Sequence, residues 1–351
     1  MINDLVLTAE EVKKFAKAHG ADLVGISPMS RFEGAPKQND ARYIFPGAKS
    51  MIVLGFRVAR GTLRGIEEGT YFAAYPSMGY ATMNQVMIPM VLHNVTGFIE
   101  DCGYEAVPLM YMNASATSTV NGKFRTGYSR AVSPDKPYPD VFINLRIAAY
   151  MAGLGEFGWS KIFLTPEYGP RTRFACILTD AELEPDPIYE GHICDRCKQC
   201  VMNCGGKAIS KNESVKVTIA GHEVEWGKLD EMACERGLHG GDEHQLDPFN
   251  GHFPNQFGYG RAVEGACGCM RACMVHLENR NKLLNTFYNQ FREKGHQQWT
   301  VDHSKPYELT EDVMKTYVES GMMEDMDVYI EYNAKDNYGT AKKESKEGQI
   351  D

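Results

Sequence analysis

Residues 192–210 read HICDRCKQCVMNCGGKAIS, which places Cys194, Cys197, Cys200 and Cys204 within eleven positions. The spacing C-x2-C-x2-C-x3-C lets three sulfurs curl around one cubane cluster. The fourth, on the following helix, points away toward a second cluster, as in bacterial two-cluster ferredoxins. Zinc sites more often show two separated C-x2-C knuckles. The pattern favours iron–sulfur clusters over zinc or structural thiols, and it sets a ferredoxin-like fold for this part of the chain.

Half of such a motif would leave Cys204 without companions, so a second group of thiols is expected. The stretch GACGCMRACMVHLE supplies Cys267, Cys269 and Cys273, and DEMACERG supplies Cys234. By the crossed logic of two-cluster ferredoxins, Cys194, Cys197, Cys200 and Cys273 would hold one [4Fe–4S] cluster, and Cys204, Cys234, Cys267 and Cys269 the other. Two features depart from the usual motif. Gly205 and Met274 follow Cys204 and Cys273 where proline is common, and Cys267 to Cys269 is C-x-C. Cys102 and Cys176 fall inside apolar patterns and read as small buried hydrophobes.

A chain of 351 residues can bury a substantial core without staples. No apolar run approaches the ~20 residues of a membrane-spanning helix. The first twenty residues show no basic segment followed by an apolar one, so a cytoplasmic location is expected, where free or metal-bound cysteines are the rule. A net charge of −9 argues against a large nucleic-acid footprint, because phosphate binding depends on Lys and Arg releasing counterions.

Upstream of the cysteines the pattern alternates between helix and strand. Residues 8–19 read as a helix, with Thr8 as N-cap, Glu11 three positions on, and Val12, Phe15 and Ala16 as its apolar stripe. Strands are expected at 21–27, at 49–58, where KSMIVLGFRV reads as a buried core strand, at 105–113 and at 172–180. A long helix over 80–104 should kink at Pro89, and another is expected within 141–153. This is a layered α/β (α+β) pattern. The final stretch, from about 332, is polar, and it should fray or wrap a neighbour.

The block AGLGEFGWSKIFLTPEYGPRTRFACILTD (152–180), followed at once by the cysteine motif, resembles the corrinoid-dependent reductive dehalogenases and their relatives the epoxyqueuosine reductases. The stretches VKKFAKAHGADLVGIS, PGAKSMIVLGFRV and FIEDCGYEAVP resemble the same family's N-terminal segments, so the likeness covers roughly residues 10–280. It implies a nitroreductase-like corrinoid-binding domain over 1–185, a ferredoxin-like domain with two [4Fe–4S] clusters over 186–280, and a helical or extended tail over 281–351. It also implies base-off cobalamin reduced through the clusters, chemistry that side chains cannot do alone. On the same grounds Gly153, Gly155, Gly158 and Gly169 would let the backbone approach a large flat ligand, and Thr165 and Tyr168 would touch its nucleotide tail. Arg171 and Arg173 read equally as surface charges.

A reductase of this kind needs a proton donor. The segment 110–140 offers Tyr111, Lys123, Arg125, Tyr128, Arg130 and Asp140, and Tyr128 with Arg130 is the preferred pair, since a nearby cation keeps a phenol acidic. His239, His244 and His252 are too irregularly spaced for a metal site, and their segment suits a substrate-covering loop. The expected function is reduction of a small molecule, with reductive dehalogenation the nearest chemistry. An external donor such as ferredoxin or flavodoxin would supply electrons, there would be no membrane or nucleic-acid partner, and a homodimer is admitted. Two alternatives stand beside it. One is epoxyqueuosine reduction on tRNA, disfavoured by the acidic charge. The other is an electron-transfer or corrinoid-reactivating protein without its own substrate.

Overall fold

The computed structural model describes residues 7–109, 119–120, 123–124, 130–238, 268–293, 295 and 299. Helix α1 (Ala9–Ala18) starts where the capping box places it, with Thr8 Oγ1 accepting the Glu11 N–H and the Glu11 carboxylate accepting the Thr8 N–H, each at 3.2 Å. Strands β1 (Leu23–Pro28) and β2 (Ser50–Arg57) follow. Next come α2 (Arg64–Glu68), a π-helical segment (Tyr75–Met87), α3 (Ile88–Asp101) and β3 (Ala106–Leu109). A small hairpin of β4 (Thr119–Val120) and β5 (Lys123–Phe124) precedes α4 (Leu145–Met151), capped by Asn144. A second small hairpin, β6 (Glu156–Phe157) and β7 (Phe163–Leu164), leads into β8 (Thr172–Thr179).

These strands build one four-stranded sheet in the order β1-β2-β8-β3, antiparallel throughout, with Leu23 opposite Gly55 and Val53 opposite Cys176. One face carries Ile52, Leu54, Phe56, Ala175 and Ile177 against Val12 and Ala16 of α1 and Val91, Val95 and Ile99 of α3. The other carries Met51, Val53, Phe174, Cys176 and Leu178 against Ala148, Ala149 and Met151 of α4. Burial on both faces explains why β2 and β8 read as near-continuous apolar runs.

The expected kink at Pro89 is a junction. Pro89 lies just past the point between Met87 and Ile88 where the winding of a continuous helix changes from π to α, so the residue that cannot donate to the ladder sits where the ladder changes register.

Beyond the sheet lie α5 (Gln199–Met202), β9 (Ile209–Ile219), β10 (His222–Leu229), α6 (Glu231–Leu238) and α7 (Cys269–Asn279). The β9–β10 hairpin turns at Ala220 and Gly221, both at positive φ, and lays Ile219, Val224 and Trp226 on the α4 side of the core. Met274 of α7 and Phe291 beyond it bury in the α1–α3 core. No helix among the described residues is long and apolar enough to cross a membrane.

Candidate metal centre and its surroundings

The cysteine loop hangs from β6. The Glu156 carboxylate accepts the N–H of Ile193 at 2.9 Å and of Cys194 at 2.6 Å through one oxygen, Oε1. Arg196 and Lys198 adopt left-handed φ values of 60° and 62°, which curls the loop before α5 presents Cys200. Helix α7 begins at Cys269, and Cys273, one turn later, shares its face.

All nine cysteines among the described residues are free. Burial pushes the Cys273 thiol well above its ordinary range, and Cys194, Cys200 and Cys197 then add to the shift. Burial takes Cys269 up to about 12, with Cys204, Cys234 and Cys200 adding. Cys200 is pushed up to about 11, by burial first and then by Cys194 and Cys197. Charge interactions fall with distance, so the order of neighbours sorts these thiols. Cys273 faces Cys194, Cys200 and Cys197 most strongly and Cys269 less, and Cys269 faces Cys204 and Cys234 most strongly and Cys200 less, so the thiols form one continuous array with Cys273 toward one end and Cys269 toward the other. Cys267 lies outside the described residues. Free thiols crowded together in half-buried and buried positions gain nothing from their neighbours, whereas a metal centre offsets both burial and mutual repulsion, so the donor set fits iron–sulfur ligation.

Donors converge on the sulfurs. The Trp159 N–H points to Cys194 Sγ at 3.4 Å and the Ala208 N–H to Cys204 Sγ at 3.3 Å. The Trp159 indole N–H is fixed separately by the Ser210 carbonyl at 2.9 Å. Two residues escaped the sequence reading. Asp195 accepts the Cys197 N–H at 3.2 Å and meets His276 Nε2 at 2.8 Å, and Asp195, Cys197 and His276 present donor atoms within 4.8 Å of one another. The available signal was the placement of His276 three residues after Cys273, on the same helical face.

The residues assigned to a corrinoid sit in tightly packed chain. Gly155 has φ +150°, and a Cβ there would run into the Leu164 carbonyl; at Gly153 it would meet that of Pro187. Beside Gly158 lies Leu164 Cδ1 at 3.1 Å, and beside Gly169 lie Leu277 and Leu283 at 3.2 Å. Thr165 is buried, its hydroxyl accepting the Tyr168 N–H at 3.1 Å, and the Tyr168 ring lies 5.8 Å from the Arg57 guanidinium. At Gly153 and Gly155 a carbonyl occupies the place of a Cβ and φ is positive, so glycine is required there whether or not a ligand binds; at Gly158 and Gly169 the neighbours are leucine side chains in tight contact. Gly155→Leu should therefore yield little soluble protein, read directly from expression and circular dichroism. A folded variant would show that the Leu164 carbonyl can withdraw.

Of the preferred catalytic pair, Tyr128 lies outside the described residues and Arg130 is exposed. The three histidines of 239–252 also lie outside them. Arg171 is no surface charge. It is 1% exposed and donates to the Val58 carbonyl at 2.7 Å. Arg173 donates to the Gly79 carbonyl at 2.8 Å and stacks 3.9 Å from the Tyr80 ring.

No protein-family profile matches the chain. Over 226 residues, 59% of this chain, it is 43% identical to a tetrachloroethene reductive dehalogenase of Dehalobacter restrictus. Over that stretch the chain is similar to the reductive dehalogenases. It spans 39% of that relative's length. A tetrachloroethene reductive dehalogenase of Sulfurospirillum multivorans is 39% identical over 66 residues, 18% of this chain and 13% of the relative. Among solved structures, a catabolic reductive dehalogenase in complex with 3-bromo-4-hydroxybenzoic acid aligns with TM-score 0.46 and 22% identity, over 78% of this chain and 35% of that one. The epoxyqueuosine reductase of Bacillus subtilis aligns with TM-score 0.43 and 15% identity, over 84% and 68%.

Proposed function

We propose that the protein is a cobalamin- and iron–sulfur-dependent reductase of a small molecule, with reductive dehalogenation the nearest chemistry and a ferredoxin- or flavodoxin-type protein as electron donor. What carries this is the gathering of Cys194, Cys197, Cys200 and Cys273 beside Cys204, Cys234 and Cys269, in a chain 43% identical over 226 residues to reductive dehalogenases. When bound, such clusters supply one-electron transfer at low potential. The chain's part is to hold the ligands and set that potential. Glu156 fixes the start of the loop through two N–H groups, and the N–H donors of Trp159 and Ala208 stabilise the more negative, reduced state.

The corrinoid rests on the sequence resemblance. At Gly153, Gly155, Gly158 and Gly169 the space a Cβ would take is occupied by the chain's own atoms, so tight packing accounts for these glycines by itself. The deciding test is uptake. Cluster-loaded protein given cobalamin under reducing conditions should bind one equivalent, with a cobalt spectrum reporting loss of the lower dimethylbenzimidazole ligand. No uptake, or a flavin bound in its place, would make the electron-transfer alternative the better account.

A further inference from the structure

Where β2 ends and β8 begins, a pocket of about 490 Å³ is lined by Arg57, Arg60, Arg64 and Arg171, with Asn285 and Phe287 among its other walls. Four guanidinium groups around one pocket are unexpected in a chain of net charge −9. Three have carboxylate partners on its margins: Arg57 with Asp22 at 3.1 Å, Arg60 with Glu278 at 2.9 Å and Arg64 with Glu68 at 2.8 Å. Arg171 is the fourth. Its hydrogen bonds go to neutral acceptors, the Val58 carbonyl at 2.7 Å and Asn285 Oδ1 at 3.0 Å, and its Nε is buried without a partner. Glu278 also faces Arg171 electrostatically; its Oε2 is engaged by Arg60 and its Oε1 is buried without a hydrogen bond, so one carboxylate is shared between two guanidinium groups. One buried positive charge is left over, and a buried charge is costly unless an anion meets it.

We propose that this pocket binds a phosphate group carried on a small organic molecule. Guanidinium forks arriving from several directions suit a tetrahedral oxyanion with several acceptor oxygens better than the planar carboxylate one fork would satisfy. The volume lies in the range of small-molecule sites, and a bare phosphate would leave most of it empty. The remainder is walled by Phe287, 40% exposed, whose ring already stacks 3.5 Å from the Arg60 guanidinium and offers apolar surface to the ligand's organic part. The phosphate has two sources, a free nucleotide or the phosphodiester of a corrinoid's nucleotide tail.

The test uses cluster-loaded full-length protein, titrated anaerobically at constant ionic strength with AMP, adenosine, cobalamin and cobinamide, which lacks the nucleotide tail. A free-nucleotide site predicts saturable binding of AMP and none of adenosine. A corrinoid-tail site predicts cobalamin bound at least about tenfold more tightly than cobinamide, the scale of one charged hydrogen bond. In either case Arg57→Gln, at a half-exposed position that tolerates replacement, should weaken the phosphate-dependent binding by at least about tenfold with the unliganded melting temperature unchanged. Failure of AMP to bind, together with equal binding or none of the two corrinoids, would overturn the site. So would phosphate-dependent binding that neither Arg57→Gln nor Arg60→Gln weakens. The inference is independent of the reductase reading: if no corrinoid binds at all, the AMP arm alone decides it.

Discussion

Replacing Cys273 by Ser lowers the iron of anaerobically purified protein from about eight atoms per chain to about four, the content of two cubane clusters and then one. The expectation follows from the geometry of α7. Cys273 faces Cys194, Cys200 and Cys197 most strongly, whereas Cys269, one turn earlier, faces Cys204 and Cys234 most strongly. Serine keeps the side chain's size, so Met274, fully buried in the core beside it, stays where it is and the helix persists. Elemental analysis with electron paramagnetic resonance separates the outcomes. Eight atoms retained would mean that Cys273 is no ligand, and complete loss would mean that the two groups assemble as one unit.

Glu67→Gln should destabilise the fold by about 3–5 kcal/mol, the cost of breaking a buried ion pair from one side. Glu67, on α2 and 2% exposed, is held between Arg271, fully buried on α7, and Arg292 beyond it. Removing its charge takes the paired carboxylate from two guanidinium groups, one of them fully buried. Burial pushes the Glu67 carboxyl up, but the hydrogen bond from Arg292 and the charges of Arg271 and Arg292 outweigh it and hold the carboxyl below the ordinary value of 4.5. Its contribution is thus present above about pH 4.5 and is lost as pH falls through the lower folded value. Denaturant titrations of wild type and variant at neutral pH and in mild acid measure both effects, and equal stability at neutral pH would refute the first. The variant should also retain iron poorly, because Arg271 lies between Cys269 and Cys273 and the triad fixes that turn of α7 against α2.

Local features were legible in the sequence because their causes are local. Thr8 and Glu11 announce α1, unbroken apolar runs announce β2 and β8, and the thiol spacing announces the curled loop at Cys194–Cys200. The β9–β10 hairpin carries a readable alternation, Val215, Val217 and Ile219 against Val224 and Trp226, with Gly221 at its turn. The features that eluded the sequence join residues far apart in the chain. Nothing near Glu67 points to Arg271 or Arg292. Nothing near Arg171 says that Val58 and Asn285 enclose it, or that it is buried. The glycines at 153 and 155 were visible as a cluster, but the Pro187 and Leu164 carbonyls against them could be seen only once the chain was folded.

The placement of Cys273 among the first group of thiols bears on how the protein is put together. Between Cys200 and Cys273 the chain leaves and returns after roughly seventy residues, a stretch that includes α6 and all of the β9–β10 hairpin. A metal that ties both ends closes this excursion as a disulfide would, and by chain entropy such a ring is worth about 4–5 kcal/mol against the open chain. The tie can be made only after the hairpin has paired and α7 has docked through Met274, since only then do the four sulfurs meet. If the proposed cluster binds, its insertion would therefore be the last stitch in assembly, and oxygen, by cutting it, would loosen the chain from the cysteine loop outward while leaving the four-stranded sheet intact.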